Sequence, residues 1–510
     1  MTDASPDAAR KKSLVLAAIF LVAVTIPISF TGPAVAIPAI GADLGGSVAA
    51  LTWIVSGFML AVGSSVMLGG ALADQYGRKR MFKIGMTGFT LASLAIGFAP
   101  SVLVLDLLRG VQGISGAIAL SAGFAALAQE FEGPARTRAL GLIGSGFGIG
   151  IAFGPIIAGG LIATLGWRAI FFATAAAGVL ILAVGAPRLS ETRDPDATRI
   201  DALGAASFTA MLVSLIFAIS EGPSFGWDHP LVIALFAAAA VLFVAFVTIE
   251  RLVARPMLDL SLFTYARFVG IQALPVAVAY SFVVPLFLLP IRFVRVEGMS
   301  ELQAGLMLLP LSAPIAIVPF LAAHLARRIP AGLLASGGLL VSAAGIVWLA
   351  AIPPGASPLA FMAPLALAGI GAGIPWGLMD DLAISVVPKE RAGMATGIFG
   401  TMRVAGETVA IAVVGAVLAA FVADALPGGA GAAMDQLALA VASGSFDEAA
   451  RMAPSLPAGA FAAAYGTAFR LTMLIAGGIT FAAAVVTFVA LVPRPARRRR
   501  RGQRMLEIEA

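Results

Sequence analysis

The chain has no cysteine and only two histidines, His229 and His324, in 510 residues. The first absence excludes disulfides and thiolate metal sites, and the second leaves too few imidazoles for a histidine-based metal site. Charge is scarce as well. Asp, Glu, Lys and Arg make up 12% of the chain, against about 25% in an ordinary soluble domain. No G-x-x-x-x-G-K-[ST] loop occurs, which argues against a pump driven by ATP. No group of residues suggests enzymatic catalysis, and no cofactor is expected.

What is present is apolar. Hydrophobic residues account for 60% of the sequence, and the mean hydropathy is +0.99. This composition points to an all-α, polytopic membrane protein whose largest partner is the lipid bilayer. The net charge of +6 does not signal nucleic acid, because the basic residues are dispersed over short loops and a tail. Near the start, Arg10, Lys11 and Lys12 precede an apolar stretch reaching about Ile40. That exceeds the roughly 7–15 residues of a signal-peptide core, so it reads as a retained first helix.

With about 20 apolar residues needed per crossing, fourteen helices are expected. They lie near 13–40, 52–72, 83–99, 102–127, 139–163, 169–187, 202–220, 229–249, 268–291, 303–325, 331–351, 358–386, 393–421 and 464–492. With both termini inside, most Lys and Arg fall on the cytoplasmic side, including Arg136, Arg138, Arg251, Arg255, Arg327, Arg328, Lys389 and Arg497 to Arg501. Arg168, Arg292, Arg295 and Arg451 are left in outer segments, and Trp53, Trp167, Trp227 and Trp348 at outer helix ends. The only long outer loop, 422–463, carries Asp424, Asp435, Asp447 and Glu448.

Several stretches carry more than hydropathy. Between two apolar runs the chain reads Gly70-Ala71-Leu72-Ala73-Asp74-Gln75-Tyr76-Gly77-Arg78-Lys79-Arg80-Met81-Phe82. Gly70 and Gly77 allow close backbone approach and a tight turn. Asp74 can pair with a guanidinium. A weaker copy, Ala323 to Pro330, follows helix 10, with Arg327 in place of the acid. Helix 4 contains Leu105-Asp106-Leu107-Leu108-Arg109-Gly110-Val111-Gln112-Gly113, and helix 5 contains Gly141, Gly150, Gly154, Pro155 and Gly159. Helix 1 holds Pro27, Pro33 and Pro38, and helix 9 holds Pro275, Pro285 and Pro290. Such proline-broken helices in corresponding places either frame a binding cavity or are kinked for packing.

The Gly70–Phe82 turn resembles, nearly position for position, the loop after helix 2 of the major facilitator superfamily. Helix 4 is similar to that family's l-x-x-x-R-x-x-q-G pattern, with Ser115 where another glycine is usual. Helix 5 resembles its antiporter signature, with Ala158 replacing one glycine. The segments around Asp201-Ala202-Leu203-Gly204, Glu221-Gly222 and Pro256-Met257-Leu258 resemble the fourteen-helix drug:proton antiporters, and the likeness spans about residues 13–493.

The resemblance implies a cytoplasmic N-terminus at 1–12, a six-helix bundle at 13–190, and an inserted helix pair at 202–250. A second six-helix bundle at 266–493 and a basic cytoplasmic tail at 494–510 follow. It implies a bacterial plasma or inner membrane location. The function implied is proton-coupled export of amphipathic small molecules, lipophilic or cationic, by a monomer using the proton gradient. Alternatives are export of a lipid, siderophore or self-made metabolite, or a uniporter or importer on the same fold.

Gly70, Asp74, Gly77, Arg78, Lys79 and Arg80 would form a conformational latch between the halves. Arg109 would assist proton movement or form a static pair with Asp106, one turn away. One departure is clear: where the branch carries an acid in helix 1, the register gives Ser29. Another carboxylate must then carry the proton, or coupling differs. Glu407 near the middle of helix 13, with Arg403 four residues earlier, is the leading candidate, and Asp106, Asp380 and Asp381 follow. Phe30, Thr31, Gln112, Tyr280, Phe282 and Trp376 are candidate cavity walls, since flat aromatic faces suit lipophilic cargo and cations.

Overall fold

The computed structural model describes residues 6–46, 48–131, 133–193, 201–253, 256, 258, 260–386, 392–427 and 432–492. Lys389, Arg255, Met257 and the 494–510 tail lie outside the described residues. All regular structure described is helical, as lipid requires of a chain that satisfies its backbone within each segment.

The first part runs α1 (Pro6–Leu44), α2 (Val48–Tyr76), α3 (Arg78–Ile96), α4 (Val102–Glu130), α5 (Gly133–Leu165) and α6 (Arg168–Val184). Here α4 packs on α2 and α3, α1 on α5, and α6 on α3 and α1. Next come α7 (Ala202–Phe225) and α8 (Pro230–Leu252), packed on each other.

The last part holds α9 (Ala266–Val278), α10 (Val284–Ile291), α11 (Glu301–Met307), α12 (Leu309–Leu325), α13 (Ala331–Ala350), α14 (Pro358–Trp376) and α15 (Met379–Ser385). It ends with α16 (Ala392–Ala425), α17 (Ala432–Ala442), α18 (Phe446–Met452) and α19 (Ala458–Leu491). In this part α14 packs on α12 and α13, and α19 on α13 and α9. The first and last parts meet along α5 with α12 and α2 with α16, while α7 touches both α2 and α16.

Twelve of the described helices are long and apolar enough to cross a membrane. Two of the expected crossings fall outside that set. Helix α3 opens with Arg78, Lys79, Arg80 and Lys83, and α6 has only 17 residues. The first helix starts at Pro6, so residues 6–12 are already helical.

Three local expectations need correction. Helix α1 is continuous across Pro27, Pro33 and Pro38, so it is not broken. The matching helix of the last part is interrupted, by π-turns at Ala279–Val283 and Arg292–Val296. Proline supplies no N–H, and Pro285 and Pro290 lie within two residues of these turns, where i→i−5 bonds such as Val284 N–H to Ala279 O replace the α pattern. The expected helix 358–386 breaks after Trp376, so Asp380 and Asp381 sit on the short α15. The 422–463 connection is no simple loop, for α17 and α18 lie within it.

Candidate functional site

Two cavities lie between the first and last parts. The larger, about 420 Å³, is of a size suited to a drug-like molecule. Its walls include Thr31, Pro38, Val55, Phe287, Leu308 and Ile411, with Pro155 from the kinked α5 and Leu439 to Gly444 at one end. It lies toward the face that carries α17 and α18, away from the basic turns. Its lining is aliphatic apart from a few hydroxyls, Phe287 and Arg295.

The smaller cavity, about 30 Å³, has room for about two water molecules. Phe30, Phe58, Phe147 and Trp376 line it together with Arg403 and Glu407. Phe30 stacks on Phe287 of the larger cavity, with centroids 6.3 Å apart. That aromatic pair stands between the two spaces.

Four of the expected site residues therefore converge on the small chamber: Phe30, Trp376, Arg403 and Glu407. Thr31 lines the larger cavity instead, its Oγ1 donating to Pro27 O at 3.1 Å. Trp376 is 4% exposed, and its indole Nε1 has no hydrogen-bond partner among the described residues. Phe282 meets Trp376 edge-on at 5.7 Å but lines neither cavity. Tyr280 lines neither as well. Both belong to the first π-turn and support the wall from behind.

The charge pairing also differs from the expected one. Arg403 Nη1 lies 3.7 Å from Asp380 Oδ2 on α15, and its guanidinium stands over the Phe147 ring at 5.7 Å. Glu407 has no ion pair among the described residues. Asp381, adjacent to Asp380, is exposed. Ser29, at the position of the missing acid, donates to Thr25 O at 2.9 Å on its own helix and lines neither cavity.

On α4 the static Arg109–Asp106 pair, one of the two alternatives, is not formed among the described residues. Arg109 donates from Nε to Ile54 O at 2.7 Å and from Nη1 to Gln112 Oε1 at 2.6 Å. Gln112 passes the chain on to Ser93 Oγ at 2.6 Å, and Ser93 donates to Phe89 O. The guanidinium lies 4.1 Å from the Phe58 ring centre. Gln112 is fully buried in this relay between α4 and α3 and lines neither cavity. Asp106 Oδ1 is buried without a hydrogen-bond partner among the described residues. Ser115 packs tightly despite replacing a glycine, because Gly85 and Gly88 on α3 leave the space.

Of the two roles open to Asp74, pairing with a guanidinium or facing a helix N-terminus, the structure shows the first, to Arg78 at 2.8 Å. The rest of that turn is held by the segment after α6. Arg78 N–H donates to Thr192 O, and the Lys79 N–H and ammonium reach Glu191 and Pro187 O. Arg80 is exposed. Gly77 has φ 101°, and a Cβ there would strike Glu191. Gly70 makes no close approach. Gly69 does, against the α4 backbone at Ile118, 2.9 Å away. In the helix-5 signature, Gly150 and Gly154 admit α1 at Val24 and Thr31, whereas Gly141 and Gly159 face open space.

Sequence reasoning missed three contacts. Arg292 is fully buried rather than in an outer loop, pairing with Glu297 at 3.1 Å and donating to Ile352 O and Pro353 O. Arg295 pairs with Asp447 at 3.3 Å. Trp53 Nε1 donates to Glu221 on α7 at 2.8 Å. An arginine directly after an apolar run with an acid five residues on was the available signal for the first. The other two join distant segments and leave no local pattern.

The fold and these motifs agree with what known proteins show. The family model described as Major Facilitator Superfamily matches residues 19–411. The multidrug resistance protein Stp of Mycobacterium tuberculosis is 35% identical over 378 residues, 74% of this chain and 70% of that protein. A probable actinorhodin transporter of Streptomyces coelicolor is 34% identical over 407 residues, 75% of this chain and 68% of that protein. Among solved structures, a bacterial homolog to the human lysosomal transporter Spinster, inward-facing and unoccupied, aligns with TM-score 0.60. It covers 96% of this chain and 97% of that one at 17% identity, a likeness of fold alone. A helical, multi-pass membrane protein with these matches is a transporter rather than an enzyme, and the chain belongs to the Major Facilitator Superfamily.

Proposed function

We propose that this chain is a proton-coupled exporter of lipophilic, drug-like molecules working by alternating access, with fourteen membrane crossings. In this reading α1–α6 and the helices from α9 to α19 form two six-helix bundles, with α7 and α8 as an added pair at their side. The basic turns face the cytoplasm, as do both termini, following the positive-inside rule. The larger cavity then faces outward, and the contacts of α5 with α12 close the inner side.

One observation carries the coupling: Glu407 lines a water-sized chamber between the halves and has no ion pair among the described residues. A carboxylate at that depth prefers to be neutral and can take up a proton when the chamber hydrates. Protonation removes its charge and permits closure, and release on the inner side resets it. Arg403 lines the same chamber and lies 3.7 Å from Asp380, so it stands beside Glu407 without an ion pair to it among the described residues. A second reading, export of a self-made aromatic metabolite, is favoured by the relative named as a probable actinorhodin transporter.

The test is proton release from purified, reconstituted protein on adding a lipophilic cargo. Wild type should release protons, and Glu407→Gln should release none while still binding cargo. Proton release and gradient-driven transport both retained in Glu407→Gln would make Glu407 structural. Asp380, already paired with Arg403, would then be the next carboxylate to vary.

A further inference from the structure

The larger cavity has one charged side chain in its lining, Arg295, and no carboxylate among the described lining residues. That is an unexpected balance for a site that would take cations. Arg295 lies in the second π-turn, Arg292–Val296, whose geometry is fixed from the other side. Arg292 is clamped there by Glu297, Ile352 O and Pro353 O, between the rings of Phe361 and Phe469 at 4.9 and 4.8 Å. With Arg292 held in the protein, Val294 and Arg295 are the members of the turn that reach the cavity.

The counter-ion of Arg295 is loosely held. Asp447, on the short α18, has an 85% exposed side chain and accepts one hydrogen bond from Arg295 Nη1 at 3.3 Å. An exposed pair of this kind is weak and screened by salt. A guanidinium offers five donors in a planar fork that fits a carboxylate in a two-point contact. One donor is engaged here, in a single contact. The neighbouring 439–444 segment, just before α18, forms one end of the cavity wall.

We propose that Arg295 is the subsite for an acidic group of the cargo, a carboxylate or ionised phenol on an aromatic amphiphile, and that Asp447 occupies it when no cargo is present. The apolar walls take the hydrocarbon body, and Arg295 fixes the acidic end toward the mouth. Cargo that displaces Asp447 also frees α18 from the second π-turn, so loading at this end loosens the outer connection. This inference rests on the reading of the larger cavity as the cargo site, and it concerns the charge of what binds there.

The experiment measures equilibrium binding to the full chain in phosphatidylcholine nanodiscs, by quenching of protein fluorescence and without a proton gradient. The probes are 2-naphthoate, its methyl ester and a naphthylmethyl trimethylammonium cation. Naphthoate should bind about tenfold more tightly than the ester, as a charge-assisted contact gives, and the cation most weakly. Arg295→Gln should abolish the preference, weakening naphthoate binding by about tenfold more than ester binding, and Arg295→Lys should keep part of it. Asp447→Asn should tighten naphthoate binding by removing the competitor.

Equal binding of acid and ester, tighter binding of the cation, or a preference that survives Arg295→Gln would each overturn the subsite. So would competition by phosphatidylglycerol that removes naphthoate binding, since the anion read by Arg295 would then be a lipid headgroup. A clear acid preference in a protein that shows no proton-driven transport would leave the subsite standing and sink the export reading. Proton-driven transport with no acid preference would do the reverse.

Discussion

Arg109 shows how an ionised group is accommodated inside a membrane protein. Its Nε and Nη1 are taken up by a backbone carbonyl and by Gln112, and its flat face lies on Phe58. Because Gln112 is itself tied to Ser93, the guanidinium is oriented by a relay of neutral groups rather than by a counter-ion. This arrangement satisfies Nε and Nη1 with neutral acceptors, while Nη2 has no hydrogen-bond partner among the described residues. Removing Gln112 leaves a donor of a buried cation unsatisfied. Gln112→Leu should therefore cost about 1–2 kcal/mol, and Ser93→Ala, one step further from the charge, about 0.5–1 kcal/mol. Unfolding of the detergent-solubilised protein, followed by a thermal shift, checks the order. Asp106→Asn should move the midpoint less than Gln112→Leu, and the reverse order would restore Asp106 as the true partner.

At the scale of the element, helix α5 separates glycines that look alike in the sequence. Gly150 lies against the Val24 carbonyl and Gly154 against Thr31, so the kinked helix can rest on α1. Gly141 and Gly159 have no neighbour within 4 Å. Gly150→Ala should cost about 1–3 kcal/mol through overpacking, while Gly159→Ala should be neutral or stabilising by up to about 1 kcal/mol through helix propensity. Equal loss of folded yield in both variants would contradict this division. The same contrast explains what was legible beforehand. Helix positions follow from apolar runs, and the fourteen expected stretches are helical over most of their length, the one at 358–386 broken after Trp376. That Asp74 could meet a guanidinium was legible, and the one it meets, Arg78, sits one turn away. Arg403 could have turned to Glu407 on its own helix or to Asp380 on α15, and only the packing of α15 beside α16 decides. Likewise the prolines marked a bend in both α1 and α9, yet only the second became a π-turn, since a bend depends on what packs around it.

At the scale of the whole molecule, the question is where the two halves must part for the cavity to change sides. Helix α7 spans the seam between α2 and α16, tied by Trp53 to Glu221 and by Thr209 to Ser64 O. The other seam runs along α5 and α12, where Gly148 faces Ile315 closely enough that a Cβ on Gly148 would strike its side chain. Gly148 lies nearly two helical turns before Pro155 of the larger cavity, and in the proposed outward-facing reading this contact would close the inner side. In the proposed alternating-access cycle, rocking of the halves would require that contact to open. The absence of native cysteine makes it accessible to a single introduced disulfide. A Cβ built on Gly148 would lie 3.3 Å from Ile315 Cβ, close to the roughly 3.5–4.5 Å that a disulfide spans. In Gly148→Cys/Ile315→Cys, removal of the isoleucine branch relieves the overlap that Gly148→Cys alone would create. Oxidation should stop export from cells and leave binding to the larger cavity intact, and reduction should restore export. Each single variant should be insensitive to oxidant. If the oxidised double variant still transports at the reduced rate, the halves do not separate along α5 and α12, and the α2–α16 seam spanned by α7 must be the one that opens.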